Sequence, residues 1–261
     1  MSDELIKEIT AAYEYDQAHN AHPVHSTAEL PIAFEYITDE WLTEALCGKA
    51  PGAKVMGHEL GSVDNGSSNR RKIAIRYNEA GQAAGLPPSV FCKAAHNLAN
   101  RIVLGIGASS ESESNYYSKI RPHLDIESPV AYFVKLDTKT WNAMIMLGDI
   151  SDSVTEFCNH HTVMTKARAE SQMRLLGRLH GKCYSDPRLV AATRDNFLTW
   201  TDYFDRTKIF GMREGSEGGF QKSEGLLPAS VFARAAEVWP GTLKSVEFHD
   251  RGPQTLAHHD V

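Results

Sequence analysis

His258, His259 and Asp260 close the last stretch of the chain, Gln254 to Val261, and by type and spacing they are the residues best suited to chemistry. A short apolar segment delivers a His-x-Asp triplet, and a carboxylate presented at the end of a strand is well placed to take a proton from a substrate hydroxyl. At a terminus the same residues also describe a solvated polar tail. Their meaning therefore depends on what the earlier segments supply.

Three earlier features bear on it. Ser89-Val90-Phe91-Cys92-Lys93 reads as a strand that ends in a lysine, although a lysine alone is most simply a surface residue. Glu113 lies three residues before Tyr116, four before Tyr117 and seven before Ile120, which places it on the apolar face of a helix. A carboxylate there needs compensation, and Lys93 is a candidate partner. Ser110 and Glu113 also have the spacing of a capping box, in which Glu113 would serve only the helix start. The third feature is the run Gly61 to Asn69, which includes Gly66 and Ser67. Its backbone N–H groups suit a cover over phosphates and equally an ordinary hairpin loop. It is not a Walker sequence, which needs Gly-Lys-Ser/Thr opening a helix.

These residues need a frame, and hydrophobic periodicity supplies one. Residues 1–37 form a polar lead without a clear period, read as a surface connector. Thr38 then caps a helix with an apolar face of Trp41, Leu42, Ala45 and Leu46, ended by Gly48 and Pro51. Alternation over Lys54 to Leu60 and again over Lys72 to Tyr77 predicts two strands, Ser89 to Lys93 a third, and Pro129 to Leu136 with Trp141 to Leu147 a hairpin that brings the sheet to five. After Leu147-Gly148-Asp149-Ile150 the period is helical. Thr165 to Tyr184, Asn196 to Arg206 and Ala229 to Trp239 are predicted helices, and Glu214 to Gly225 a mobile loop. The class is α+β in two lobes, 1–148 and 149–261.

At 261 residues, with 42% apolar and 23% charged side chains, the chain can bury a sizeable core. A formal net charge of -6 argues against a general nucleic-acid binder. Cys47, Cys92, Cys158 and Cys183 form no C-x-x-C pair, so no zinc ribbon or redox motif is suggested and a reducing cytoplasm is expected. Residues Met1 to Leu5 lack the character of a signal peptide, and no apolar run approaches the ~20 residues that span a bilayer. A soluble, cytoplasmic protein without membrane partners is expected.

The glycine-containing hairpin, the Lys93 strand, the segment Glu113 to Tyr117, the connector Leu147 to Ile150, the helix ending Leu176-Gly177-Arg178-Leu179-His180-Gly181 and the final His258-His259-Asp260 occur in this order from about Trp41 to Val261. In that order they resemble the kinase-like phosphotransferases, specifically the aminoglycoside phosphotransferase, choline kinase and ecdysteroid-kinase-like group. The resemblance implies a bilobal protein-kinase-like fold, with a five-stranded antiparallel N-lobe sheet and a helical C-lobe. It implies ATP and Mg2+ as cofactors and a small hydroxyl-bearing acceptor. Lys93 would contact the nucleotide phosphates and be held by Glu113. Gly61, Gly66 and Ser67 would cover the phosphates, and the backbone near Leu147, Gly148 and Asp149 would receive the adenine. Asp260 would be the catalytic base, His258 would brace its loop, and His180 would pack beneath it. The acceptor itself is not legible. Asp202, Asp205, Glu214 and Glu217 would suit a cationic one, and equally form a solvated face.

In that group the catalytic loop continues past the Asp to an Asn, and a later Asp binds metal, whereas this sequence stops at Val261. The metal ligands are expected beyond Val261, so the sequence reads as an inactive fragment of a longer kinase with an incomplete C-lobe. Two rival readings are a metal-dependent phosphohydrolase built on His249, Asp250 and the terminal triplet, against which the strand-rich half speaks, and a non-catalytic nucleotide-binding module.

Overall fold

The structure is a computed structural model that describes residues 2–159 and 161–258. It is α+β. Among the described residues five strands form one antiparallel sheet: β1 (Val55–Asn65), β2 (Asn69–Tyr77), β3 (Ser89–Ala94), β4 (Ala131–Asp137) and β5 (Asn142–Gly148), in the order β1-β2-β3-β5-β4. Cys92 lies opposite Arg71 and Met146, and Lys93 lies opposite Arg70 and Ile145. Opposed residues share a face and successive residues alternate, so this register divides the sheet cleanly. One face carries Ile73, Ile75, Tyr77, Val90, Cys92, Ala94, Met144 and Met146, all buried in the main core. The other carries Arg70, Lys72, Phe91, Lys93, Ile145 and Leu147.

The apolar face is covered by helix α2 (Asp39–Cys47) and the segment before it. Thr38 caps α2, its Oγ1 accepting from Trp41 N at 3.2 Å and donating to Val24 O at 2.6 Å. That places Trp41 in the centre of the core, 0% exposed, with its Nε1 donating to Glu29 O at 3.0 Å and its ring edge-on to Phe133. A short helix α3 (Glu79–Ala83) follows β2.

Several expectations are corrected. The polar lead is not a plain connector, because Ser2–His19 forms helix α1. It buries Ile9 and Asp16 and half-buries Leu5, Ile6, Ala12 and Tyr13, a helical spacing that the reading as a connector passes over. Between β3 and Ser109, where the pattern assigned no element, lies α4 (Leu98–Ile106), capped by Asn97 Oδ1 on Asn100 N at 2.8 Å. It leads into α5 (Ser109–Asn115). The expected loop from Gly61 to Asn69 shrinks to residues 66–68, because both strands run on past a bulge between Leu60 and Val63.

Beyond the sheet lie α6 (Lys166–Ser185), α7 (Pro187–Asn196), α8 (Trp200–Thr207), α9 (Met212–Lys222), α10 (Ala229–Phe232) and α11 (Val238–Asp250). The expected mobile loop at Glu214 to Gly225 is mostly α9, whose glycines 215, 218 and 219 face open space and so cost only helix propensity. The segment from Asn196 is split by Thr199, which caps a new helix through Asp202 N at 3.1 Å. Pro240 sits in the first turn of α11, where its missing N–H is harmless, so it begins a helix where a helix end at Trp239 was expected. Residues 253–258 have no regular secondary structure and pair with no strand. Leu256 from this stretch joins Ile120, Leu124, Leu179, Cys183 and Leu189 in a second, smaller core.

Trp41→Ala removes the largest buried side chain and a buried N–H bond. It is expected to destabilise the fold by about 3–5 kcal/mol, read as a lowered urea midpoint with unchanged slope.

Candidate functional site

The Lys93 ammonium projects from the sheet face opposite the main core and pairs with Glu113 Oε1 on α5. The pair is reachable: the two side chains are 27% and 29% exposed. The capping alternative for Glu113 is decided against, because the N-cap of α5 is Ala108, in a left-handed conformation at φ 51° and without a side-chain cap. Immediately after α5 the chain widens into a π-helical turn, Tyr116–Ile120. Such turns are rare and cluster at functional sites. This one re-aims the helix so that Ile120 enters the second core while Glu113 stays over the sheet.

Lys93 is the end of a row of cations that sequence reasoning missed. Arg70 and Lys72 lie on the same face of neighbouring β2, and each has its own carboxylate: Asp64 for Arg70 at 3.0 Å, and Asp149 for Lys72. The signal was present in the alternation of β2, which forces Arg70 and Lys72 to one side. Only the register could put Lys93 beside them. Phe91 and Leu147 share this face and give it an apolar floor.

Asp149, expected to act through its backbone, acts with its side chain as well. Its carboxylate is only 7% exposed and receives Lys72, Ser89 Oγ at 2.7 Å, Ser151 Oγ at 2.5 Å and Ser151 N at 3.0 Å. Burial pushes its pKa up, and the hydrogen bonds from Lys72, Ser151 and Ser89 together outweigh this, holding the carboxyl well below the usual range. The Asp149 contact in turn raises Lys72. Leu147 lies opposite Phe91 on one side and Ala131 on the other, and Gly148 N donates to Val130 O at 2.8 Å.

The remaining candidates are distributed as follows. Gly61 is inside β1, where a Cβ would sit 3.0 Å from Lys72 O. Gly66 and Ser67 form the exposed hairpin tip, with Gly66 N donating to Ser68 O at 3.0 Å. The tip is tied down at its base: Asn100 Nδ2 donates to Gly66 O at 2.8 Å, and Asn69 Oδ1 accepts from His96 N at 2.8 Å. His258 is exposed at the end of this irregular stretch, and His259 and Asp260 lie outside the described residues. That stretch is moored on α6, where Thr255 Oγ1 donates to His180 O at 2.8 Å. His180 Nε2 is buried without a hydrogen-bond partner among the described residues.

His249 and Asp250 sit at the end of α11, and Asp250 Oδ1 accepts from Thr201 N at 3.4 Å. Asp205 pairs with Lys208 at 2.5 Å, Glu217 with Arg213 at 3.0 Å, and Asp202 accepts from Thr199 Oγ1 at 2.8 Å, so these acids are engaged locally. Among the described residues no group of three or more His, Cys, Asp or Glu is placed to hold a metal ion. No helix among them is long and apolar enough to cross a membrane. Two cavities of about 200 and 230 Å³ lie elsewhere, one between α1 and the β4–β5 hairpin and one beside His96 and Arg71.

Comparison with protein-family models, with curated proteins and with solved structures found no match to this chain.

Asp149 titrates below its unfolded value of about 3.9, so the folded state binds fewer protons than the unfolded one as the pH falls towards and below that value. The stability it contributes is full above about pH 4 and is lost below it. Asp149→Asn is therefore expected to lower stability at pH 6. The gap to the wild type should narrow progressively as the pH falls below about 4 in urea titrations.

Proposed function

We propose that this chain builds the nucleotide site of an ATP-dependent small-molecule phosphotransferase with a bilobal kinase-like fold, akin to the aminoglycoside phosphotransferase, choline kinase and ecdysteroid-kinase-like group. The observation that carries the reading is the Lys93–Glu113 pair, a strand cation held by a helix carboxylate over a sheet face with an apolar floor. Bound ATP with Mg2+ would supply the phosphoryl group to be moved and a divalent charge beside it.

The chain's own residues suit that ligand in kind. Lys93 offers a fixed positive charge to phosphate oxygens, and Glu113 keeps its flexible stem from collapsing elsewhere. Lys72 and Arg70 extend the positive field along the sheet towards the hairpin tip, where Ser67 is exposed. Phe91 and Leu147 offer apolar surface to a purine. Because the Gly148 amide is already used by Val130, the adenine edge would be read by the peptide at Asp149, which its carboxylate anchors rigidly. Among the described residues no group of three or more His, Cys, Asp or Glu is placed to hold a metal ion, and no step is assigned to one.

Asp260 as base and His258 as brace belong to the same proposal. Leu256 in the second core and Thr255 on His180 fix the approach of the stretch that carries them. A carboxylate delivered there would orient an acceptor hydroxyl and take its proton. The acceptor class follows from that role: a small molecule bearing a hydroxyl.

Titration calorimetry with ATP and Mg2+ tests the reading. The wild-type chain is expected to bind ATP, and Lys93→Met to weaken binding at least about tenfold, equivalent to ~1.4 kcal/mol. Glu113→Gln should weaken it less. Absence of ATP binding by the wild type, or equal affinity in Lys93→Met, refutes it.

A further inference from the structure

Arg101, on α4, is the largest buried charge in the described chain, 0% exposed. Four groups from three different segments surround it. Nη1 lies 2.7 Å from Asp16 Oδ2 of α1 and donates to Thr140 O, in the β4–β5 turn, at 2.9 Å. Nε donates to Ala95 O at 2.9 Å, two residues beyond Lys93. The guanidinium carbon stands 5.2 Å from the centre of the Tyr13 ring. One turn further along α4, Gly105 admits α1 closely: a Cβ there would come within 2.9 Å of Ile9 Cδ1 and 3.1 Å of Trp141 Cδ1.

This arrangement has a mechanical consequence. Arg101 holds the chain leaving β3 by one hydrogen bond, and the helix that carries it runs through Gly107 and Ala108 into α5 and Glu113. The turn is stiff, closed by Ala108 N on Gly105 O at 3.1 Å and Gly107 N on Val103 O at 3.3 Å. Both partners of the Lys93–Glu113 pair thus descend from a junction whose own charge is balanced by α1. That helix buries Ile9 and Asp16 and packs along α4, so the junction is closed only while it is docked. Its departure would remove the Asp16 counter-charge and the Tyr13 ring together, opening the guanidinium to water and releasing α4 from the contacts that fix it.

We infer that Arg101 and Asp16 form a positioning pair, through which docking of the N-terminal helix sets Glu113 against Lys93. The functional consequence, control of nucleotide affinity by α1, rests on the reading of the Lys93 face as a nucleotide site. The positioning itself does not.

Acylation of lysines followed by mass spectrometry, without nucleotide, reads the positioning directly. Asp16→Asn removes the counter-charge, and Gly105→Leu wedges α1 away while leaving every charge in place. In both, Lys93 is expected to acylate about fivefold faster or more, the lower range of a coupling free energy between sites, with faster hydrogen exchange in α5. Lys72, held by Asp149 on the same sheet face, should be unchanged. Unaltered Lys93 reactivity in the folded variants overturns the inference. So does an equal rise at Lys49, Lys54, Lys72 and Lys93, which marks general loosening, and so does unfolding of both variants by circular dichroism. In a parallel arm, ATP affinity should fall with Lys93 protection. A wild type that binds no ATP sinks the nucleotide reading, while the acylation result still decides the role of Arg101.

Discussion

Alternation along a strand leaves each side chain only two directions, and almost everything in this structure follows from how five strands use them. Ile73, Val90, Cys92 and Met146 all fall on one face, where α2 and Trp41 close a dry core. Arg70, Lys72, Phe91 and Lys93 are thereby driven to the other face, whatever their individual preferences. A one-residue slip of β3 would bury Lys93 under Trp41 and expose Cys92. The apolar core therefore specifies the register, and the register assembles the cationic face.

A row of three cations on one sheet face repels itself unless each has a counter-charge, and each has one from a different element. Asp64 comes from β1, Asp149 from the connector after β5 and Glu113 from α5. The part-exposed Arg70–Asp64 and Lys93–Glu113 pairs contribute little stability, of the order of 0–1 kcal/mol each, whereas the shielded Asp149 carboxylate contributes through its whole set of hydrogen bonds. Their importance is geometric, since they fix where each charge sits. Arg101 is a different case. With no exposure, its pairing offsets a large desolvation cost, and truncating Asp16 would leave that cost standing. His96, close by, is kept neutral: burial, with Arg101 as a second cause, pushes its imidazole down to about 3.

The helical half is tied to the sheet through the segment that follows Glu113. Ile120 and Leu124 enter the second core with Leu179, Cys183 and Leu189, while Asn115 donates to Asn196 O at 3.0 Å and Lys119 meets the Asn196 side chain. The same helix-and-turn segment therefore touches the cationic face at one end and the helical half at the other. The π-helical turn reconciles the two demands. It carries one extra residue per hydrogen-bonded ring, which rotates Ile120 relative to Glu113.

Much of this was legible in the sequence. The strands, the Thr38 cap, the helix starting at Thr165 and the candidates Lys93 and Glu113 follow from periods and spacings that act over a few residues. The π-turn did not, because it depends on a neighbour supplied from elsewhere, the second core that receives Ile120; helix α1 and the continuation of α11 past Pro240 were passed over although Leu5, Ile6, Ile9 and Tyr13 share a helical spacing and a first turn tolerates proline. Asp149 was singled out for its backbone, yet only the fold could bring Lys72, Ser89 and Ser151 to its carboxylate. By itself the sequence determined the five strands, several of the helices and which side chains of each strand share a face. The tertiary structure alone decided which charges meet. Ion pairing depends on distance in space between residues far apart along the chain, and no local period encodes that distance.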